Sequence, residues 1–503
     1  MIPYRFYWPG YRLFPYETDF ALRELKKICG TETVINSPLF VEAKSNKKKV
    51  FFNRLTYFSF FENDNDKSET LQHLYETYGS IQNGNSKQST RYSVHGLHEY
   101  KGKFNPQVVR FLLNYLETSK GNHILDPFCG SGTSIIEALH YGVAGKGCDL
   151  NPLAVYISNA KIKALFAKSD LLSDIRNRIE ARYLKARKSN PPFEDTPRQT
   201  YLMNWFPSDN LKTIELLRSI INEEGKEHAS IFLVILSNLL RDYSNQEPQD
   251  LRIRRRNSPF PTIELSYQFF KNCSNFILQK RNFDRICPIK DGLGSEAICA
   301  DISTTLIQDF FPNKNHLFDA AITSPPYATA LPYIDTQRLS IIWLGLNNPS
   351  DLGPLESSLI GAREFEGFEK SEWSANFHNN LSNLPNDVYS YCKLLSRNIG
   401  NLDGFRRKAV PTNLYRYFSL MNSMFNNVKK LLKPKSPFAL IVGHNHTTLG
   451  GKRFDIDTPK HLASIALSAG WSINEIIPMQ TYQRYGLHQR NAVAREDLII
   501  LES

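Results

Sequence analysis

Apolar residues fall into two rhythms along this chain. Short apolar runs bounded by turn residues alternate with longer stretches of helical period. The runs 123–125, 296–300, 318–322, 438–442, 473–477 and 497–501 read as strands, as does a segment ending near Asp149. Stretches such as 107–116, 133–141 and 414–432 place apolar side chains three and four apart, as an amphipathic helix does. Alternation of this kind predicts a mostly parallel sheet with helical crossovers. The last two runs, separated by a turn, predict an antiparallel hairpin at its edge.

The spacing also divides the chain. Residues 1–90 are aromatic and strand-rich around one helical stretch, 18–29, which Gly30 stops. An aromatic strand pair is expected around Pro9-Gly10, and further strands at 50–52 and 55–61. This predicts a small α+β appendage. The alternating core occupies 91–164 and 296–503. Between its parts lies a helical, basic insertion, 165–295, and a second insertion falls at about 328–412. Ile231, Phe232, Leu233, Val234, Ile235 and Leu236 form the most apolar run, far shorter than a membrane span. A buried helix is expected there.

Two loops carry candidate chemistry. The first is Asp126-Pro-Phe128-Cys-Gly130-Ser-Gly132-Thr133, directly after the run 123–125. Glycine lets backbone approach a ligand without a Cβ, and the free N–H groups of the following helix point back at the loop. Downstream, Asp149 ends the second core strand, where a carboxylate can accept both hydroxyls of a ribose. Asp301 ends the third. The second loop is Thr323-Ser324-Pro325-Pro326-Tyr327. Paired prolines fix a turn, so that the Ser324 hydroxyl and the Pro325 carbonyl converge before any reaction begins.

These loops, in this order, resemble the cofactor and catalytic loops of S-adenosylmethionine-dependent amino-methyltransferases. The Ser-Pro-Pro-Tyr form is most similar to the DNA cytosine-N4 branch. The resemblance implies a class I Rossmann-like methyltransferase core, α/β in class, with helical insertions and the small N-terminal domain added to it. It implies S-adenosylmethionine as cofactor, held by Lys103, Phe104, Asp126, Phe128, Gly130, Gly132, Thr133, Asp149 and Asp301. Lys103 and Phe104 lie in 98–106, which resembles the family's lead-in over the methionine end. Asp126 is expected to orient the loop or the methionine amine, and Asp301 to meet the adenine amine. Catalysis is assigned to Ser324, Pro325, Pro326 and Tyr327. The first two bind amine hydrogens, and Tyr327 stacks on a flipped base. Direct displacement needs no cysteine nucleophile, and the chain has no Pro-Cys dipeptide of the C5-cytosine type.

A net charge of +11 fits a polyanionic partner. Double-stranded DNA is the expected substrate, met by Arg252, Arg254, Arg255 and Arg256 in the insertion. Arg406, Arg407 and Lys408 form a second candidate, and the arginine- and histidine-rich turn 483–490 a further one. The seven cysteines are scattered without a CxxC pair, which speaks against a disulfide framework or a thiolate zinc site. Gly443-His-Asn-His446 lacks a completing carboxylate or cysteine, and no metal is expected. The first residues lack the layout of a signal peptide, so a cytoplasmic protein without membrane contact is expected. The family context is restriction–modification or phage defence, with a possible cognate nuclease. Alternatives from the same residues are an RNA methylase of the tRNA guanine-N2 type, an adenine-N6 DNA methylase, and a silent nucleic-acid-binding protein.

Overall fold

The computed structural model describes residues 1–64, 66–79, 88–100, 102–188, 195–250, 253–289, 293–312, 316–328, 333–362, 368–480 and 495–503. Five antiparallel strands form the first sheet: β1 (Ile2–Tyr7), β2 (Val34–Asn36), β3 (Phe40–Ser45), β4 (Phe60–Asn63) and β5 (Asp66–Glu69), in the order β2-β3-β1-β4-β5. Two local expectations fail here. Among the described residues no strand pair forms around Pro9-Gly10; β1 pairs with β3 and β4 instead. The helix Pro15–Cys29 starts earlier than its apolar period suggested, because Pro15 suits its first turn and Glu17 accepts the Phe14 N–H at 2.8 Å. Lys49–Phe52 is a helical turn rather than a strand. It drops Phe52 edge-on against Tyr4 and Phe6 (4.8 and 5.4 Å between centroids), and that packing overrides the strand propensity of Val50, Phe51 and Phe52.

The second sheet has seven strands. Five are parallel neighbours: β6 (His123–Asp126), β7 (Ala144–Asp149), β8 (Glu296–Cys299), β9 (Ala320–Thr323) and β10 (Pro437–Gly443). An antiparallel ribbon, β11 (Asn445–Leu449) with β12 (Lys452–Ile456), branches off after β10. Strands β13 (Ser472–Gln480) and β14 (Arg495–Glu502) form the edge hairpin, with β14 antiparallel to β10. The order is β13-β14-β10-β9-β6-β7-β8. Sequence order reverses between β6 and β9, so the loops leaving these two strands open a crevice, the usual ligand position in such sheets. This is the mostly parallel sheet with an antiparallel edge hairpin that the apolar runs predict.

Alternate strand residues serve opposite faces. Leu125, Ala321, Leu440 and Leu501 pack with the helices Val410–Leu431 and Thr458–Ser468. Ile124, Ala320, Ala439 and Ile500 face the helix Pro106–Tyr115 and the N-terminal part. There Phe20 stacks on Phe111 at 4.0 Å, and Tyr115 bonds Glu475 at 2.9 Å. The N-terminal sheet therefore shares a core with the large one. The chain between β7 and β8 is helical as expected and includes Ala229–Ser237, which is buried nearly throughout. Among the described residues no helix is long and apolar enough to cross a membrane.

Candidate active site

Both predicted loops open onto one cleft. Phe128 and Gly130 reach it from the end of β6, Asp149 from β7, Asp301 from β8, and Ser324 with Pro326 from β9. Four strand ends, distant in sequence, thus supply one site.

The Gly loop is shaped by close packing. Gly132 has φ +80°, and a Cβ there would stand 2.2 Å from Ser158 Oγ. At Gly147 a Cβ would stand 2.5 Å from Cys129 Cβ. Neither position has room for a side chain, so the loop lies flat on the β7 end and the helix Pro152–Phe166. Gly132 caps the helix Thr133–His140; Thr133 is buried at its start.

Asp149 accepts the Gly130 N–H at 3.0 Å through one oxygen and the Asn151 N–H at 2.9 Å through the other. Each oxygen keeps a lone pair for a further donor. Burial pushes its carboxyl up to about 6, against these two bonds. Asp301 fixes its own loop by accepting the Ser303 N–H at 2.8 Å. Ala300, Ile302 and Leu150 give the same cleft apolar surface. A purine nucleoside fits this donor and acceptor set: paired acceptor sites for ribose, a carboxylate at the base end, and flat apolar contacts between.

Asp126 lies below the cleft. One of its oxygens accepts the Thr323 hydroxyl at 2.7 Å and the Phe128 N–H at 3.1 Å. Burial pushes it up to about 6 as well. It ties the two loops together and thereby positions Ser324. The Ser324 hydroxyl donates to the Ile441 carbonyl at 3.4 Å, which leaves its lone pairs available as acceptors. Pro325 is buried and Tyr327 half-buried. The Tyr327 hydroxyl bonds Glu496, opposite Gly443 in the β10–β14 register.

Lys103 and Phe104 line a neighbouring cleft that shares Tyr100 and Gly102 with the first. Lys103 Nζ donates to the carbonyls of Thr90 (2.8 Å) and His95 (3.4 Å), and burial brings its pKa down to about 7. The sequence reading missed Tyr100, Gly102, Leu359 and Ile360, which complete the walls. It also missed Lys161, buried with its Nζ on the Ser131 carbonyl at 2.9 Å. A single cation on an otherwise apolar helix face was the available signal.

The chain just before the lead-in is anchored by a buried ion network. Glu137, on the helix after the Gly loop, meets His95 at 2.6 Å, Tyr92 at 2.9 Å, His140 at 3.2 Å and Arg110 at 3.3 Å. Burial alone would raise the Glu137 carboxyl, but the two histidines hold it well below the usual range. His95, Glu137 and His140 have spacing that a metal would accept. The Arg110 guanidinium on the same carboxylate already provides a cation.

The predicted basic run divides. Arg252 lies outside the described residues. Arg256 donates to the carbonyls of Ser244 (2.8 Å), Asp242 (2.6 Å) and Arg241 (3.2 Å), closing the end of a helical segment. Arg255 sits 4.4 Å over Trp205, and Arg254 pairs with Asp250 at 2.9 Å while two-thirds exposed. The turn 483–490, another sequence candidate, also lies outside the described residues. His444 is held by Asp497 (3.0 Å) and Asp457 (3.5 Å), and His446 is exposed.

The family model UPF0020, the RMKL-like methyltransferase domain, matches residues 97–148, which hold the lead-in, the Gly loop and most of β7. The Type II methyltransferase M.MvaI of Kocuria varians is 23% identical over 392 residues, 74% of this chain and 82% of the relative. M.AvaI of Nostoc sp., another Type II methyltransferase, is 23% identical over 463 residues, 86% of this chain and 90% of its own. A shorter match, 40% identical over 52 residues, covers 10% of this chain and 16% of the tRNA (guanine(10)-N2)-dimethyltransferase of Methanothermobacter thermautotrophicus.

Proposed function

From the chain's similarity to the RMKL-like methyltransferase domain and to Type II methyltransferases, we propose that it methylates the exocyclic amine of a base in double-stranded DNA, and that the amine is cytosine N4. The methyl donor is S-adenosylmethionine, which supplies an electrophilic methyl on a sulfonium. The observation that carries the reading is the single cleft joining Gly130, Asp149 and Asp301 to Ser324 and Pro326.

The chain's own residues then have defined tasks. Asp149 accepts the ribose hydroxyls, and Asp301 accepts from the adenine amine. Phe128, held by Asp126, packs beside them. At the other end, Ser324 Oγ and the Pro325 carbonyl accept the two amine hydrogens of the target base. A conjugated amine is a poor nucleophile; two acceptors out of the ring plane favour a tetrahedral nitrogen with its lone pair free to attack. With the methyl donor bound, Ser324 Oγ and the Pro325 carbonyl would hold the amine while it takes up the methyl, and the amine proton displaced by the methyl would pass to water. Tyr327, fixed through Glu496, offers a face for the flipped base.

Ser324 favours cytosine over the adenine-N6 and guanine-N2 readings, in which similar enzymes carry Asp or Asn there. The long Type II relatives favour DNA, whereas the tRNA enzyme matches over a short stretch alone. Arg254 and Arg255 stand exposed enough to meet phosphates; Arg256 stabilises the loop that presents them. A restriction–modification setting, with a nuclease of the same specificity, follows from this reading, as does action in the cytoplasm.

Nucleoside mass spectrometry after incubation with the cofactor and unmethylated duplex DNA tests the proposal. N4-methylcytosine is expected. N6-methyladenine would overturn the role given to Ser324, and methylguanine in tRNA alone would move the substrate to RNA.

A further inference from the structure

A two-stranded ribbon leaves the sheet beside the catalytic loop. Strand β10 ends at Gly443, and the β11–β12 ribbon begins at Asn445. Gly443 lies opposite Glu496, the residue that holds Tyr327, so the ribbon is rooted at the catalytic loop. Five residues of extended chain separate its root from its tip by about 15 Å, and Leu449 at that end is buried against the core. There Gly450 packs on Gly400 so closely that a Cβ on Gly400 would stand 2.8 Å from Gly450 Cα. The buried Asp403 carboxylate accepts the N–H groups of Gly400 and Gly450, both at 2.8 Å. Loop and ribbon are thereby joined into one body.

This body exposes what a core would bury. Leu402 is 101% exposed and Phe405 74%. Around them stand the exposed cations Arg406, Arg407, Lys408, Lys452 and Arg453. Arg407 reaches Asp403 only at 3.8 Å and stays 59% exposed. A protein interface core is depleted of charge. Two bulky apolar tips set among cations fit a polyanion with an apolar interior, which is a base-paired duplex.

We propose that this joined loop and ribbon form a duplex-opening arm. The cations hold phosphates on either side of the target, and Leu402 with Phe405 enters the stack where the target base has left it. This rests on the base-methylation reading above. A wedge of this kind recovers part of the stacking lost when a base leaves the helix.

The test uses the full chain, a duplex carrying the mapped target, and the same duplex with an abasic position opposite the target base. The variant is Leu402→Ala with Phe405→Ala. On the paired duplex the variant is expected to lose roughly 10- to 100-fold in kcat/KM, the size of an uncompensated opening cost. On the abasic-opposed duplex, where opening is nearly free, it is expected to match the wild type. Cofactor affinity by calorimetry stays unchanged, since neither residue lines the cleft. Equal loss on both duplexes, or no loss on either, overturns the arm; the second result is also what a protein-docking role would give. A wild type inactive on both duplexes but binding cofactor would instead overturn the base-methylation reading beneath it.

Discussion

A carboxylate accepts a hydroxyl proton well only when it is ionised, and Asp149 sits where that condition shows. Burial raises it to about 6, above its ordinary 3.8. Ribose hydroxyls prefer the ionised form, so binding is linked to loss of a proton. Cofactor affinity should be full above about pH 7 and fall as pH drops through 6, approaching tenfold per unit below it. Calorimetry across pH 5–8 checks this. Asp149→Asn should bind weakly and lose most of the slope. Asp126 titrates near the same pH but lies outside the cleft, so Asp126→Asn should keep the slope. A slope lost with Asp126 alone would place the acceptor wrongly. At this scale Gly130, Asp149, Asp301 and Ser324 were legible because turn chemistry and strand ends are local signals. Tyr100 and Ile360 were not, since an aromatic or aliphatic in a loop says nothing about which wall it will complete.

Among the elements, the chain just before the lead-in and the helix Pro106–Tyr115 after it depend on one buried acid. Glu137 carries bonds from Tyr92, His95 and Arg110, and its own i+3 neighbour His140. Glu137→Ala should leave Arg110 buried without this anion and cost about 3–5 kcal/mol. Chemical denaturation of the wild type and variant measures it; a cost below about 1 kcal/mol would show that this part of the chain is held by its apolar packing instead. The helical period of 133–141 predicted the element but gave no hint that Glu137 would face inward. Its partners lie far upstream, and an acidic residue in a helix reads by default as solvent-facing. The N-terminal strands were misjudged for the same reason. Phe52 answers to Tyr4 and Phe6 across the domain rather than to the propensity of its neighbours.

For the molecule as a whole, the parallel sheet and its hairpin were visible in the run of apolar segments, because strands buried on both faces are continuously apolar. The long insertions did not hide that order. What the pattern left out was the ribbon β11–β12 and the shared core beneath the N-terminal sheet, both set by contacts between distant segments. Under the proposed function, the sheet brings a donor site on β6–β8 against an amine site on β9, with the Asp126–Thr323 hydrogen bond tying the two loops together. If so, Ser324 should matter for transfer and not for cofactor capture.

The most direct measurement follows transfer of a labelled methyl group from S-adenosylmethionine to unmethylated duplex DNA by the wild type and by Ser324→Ala, with cofactor affinity measured alongside. The account predicts label in the cytosine amine for the wild type, a loss of about 100-fold or more in kcat for the variant, and equal cofactor affinity for both. Undiminished transfer by Ser324→Ala, or loss of cofactor binding together with activity, would contradict it.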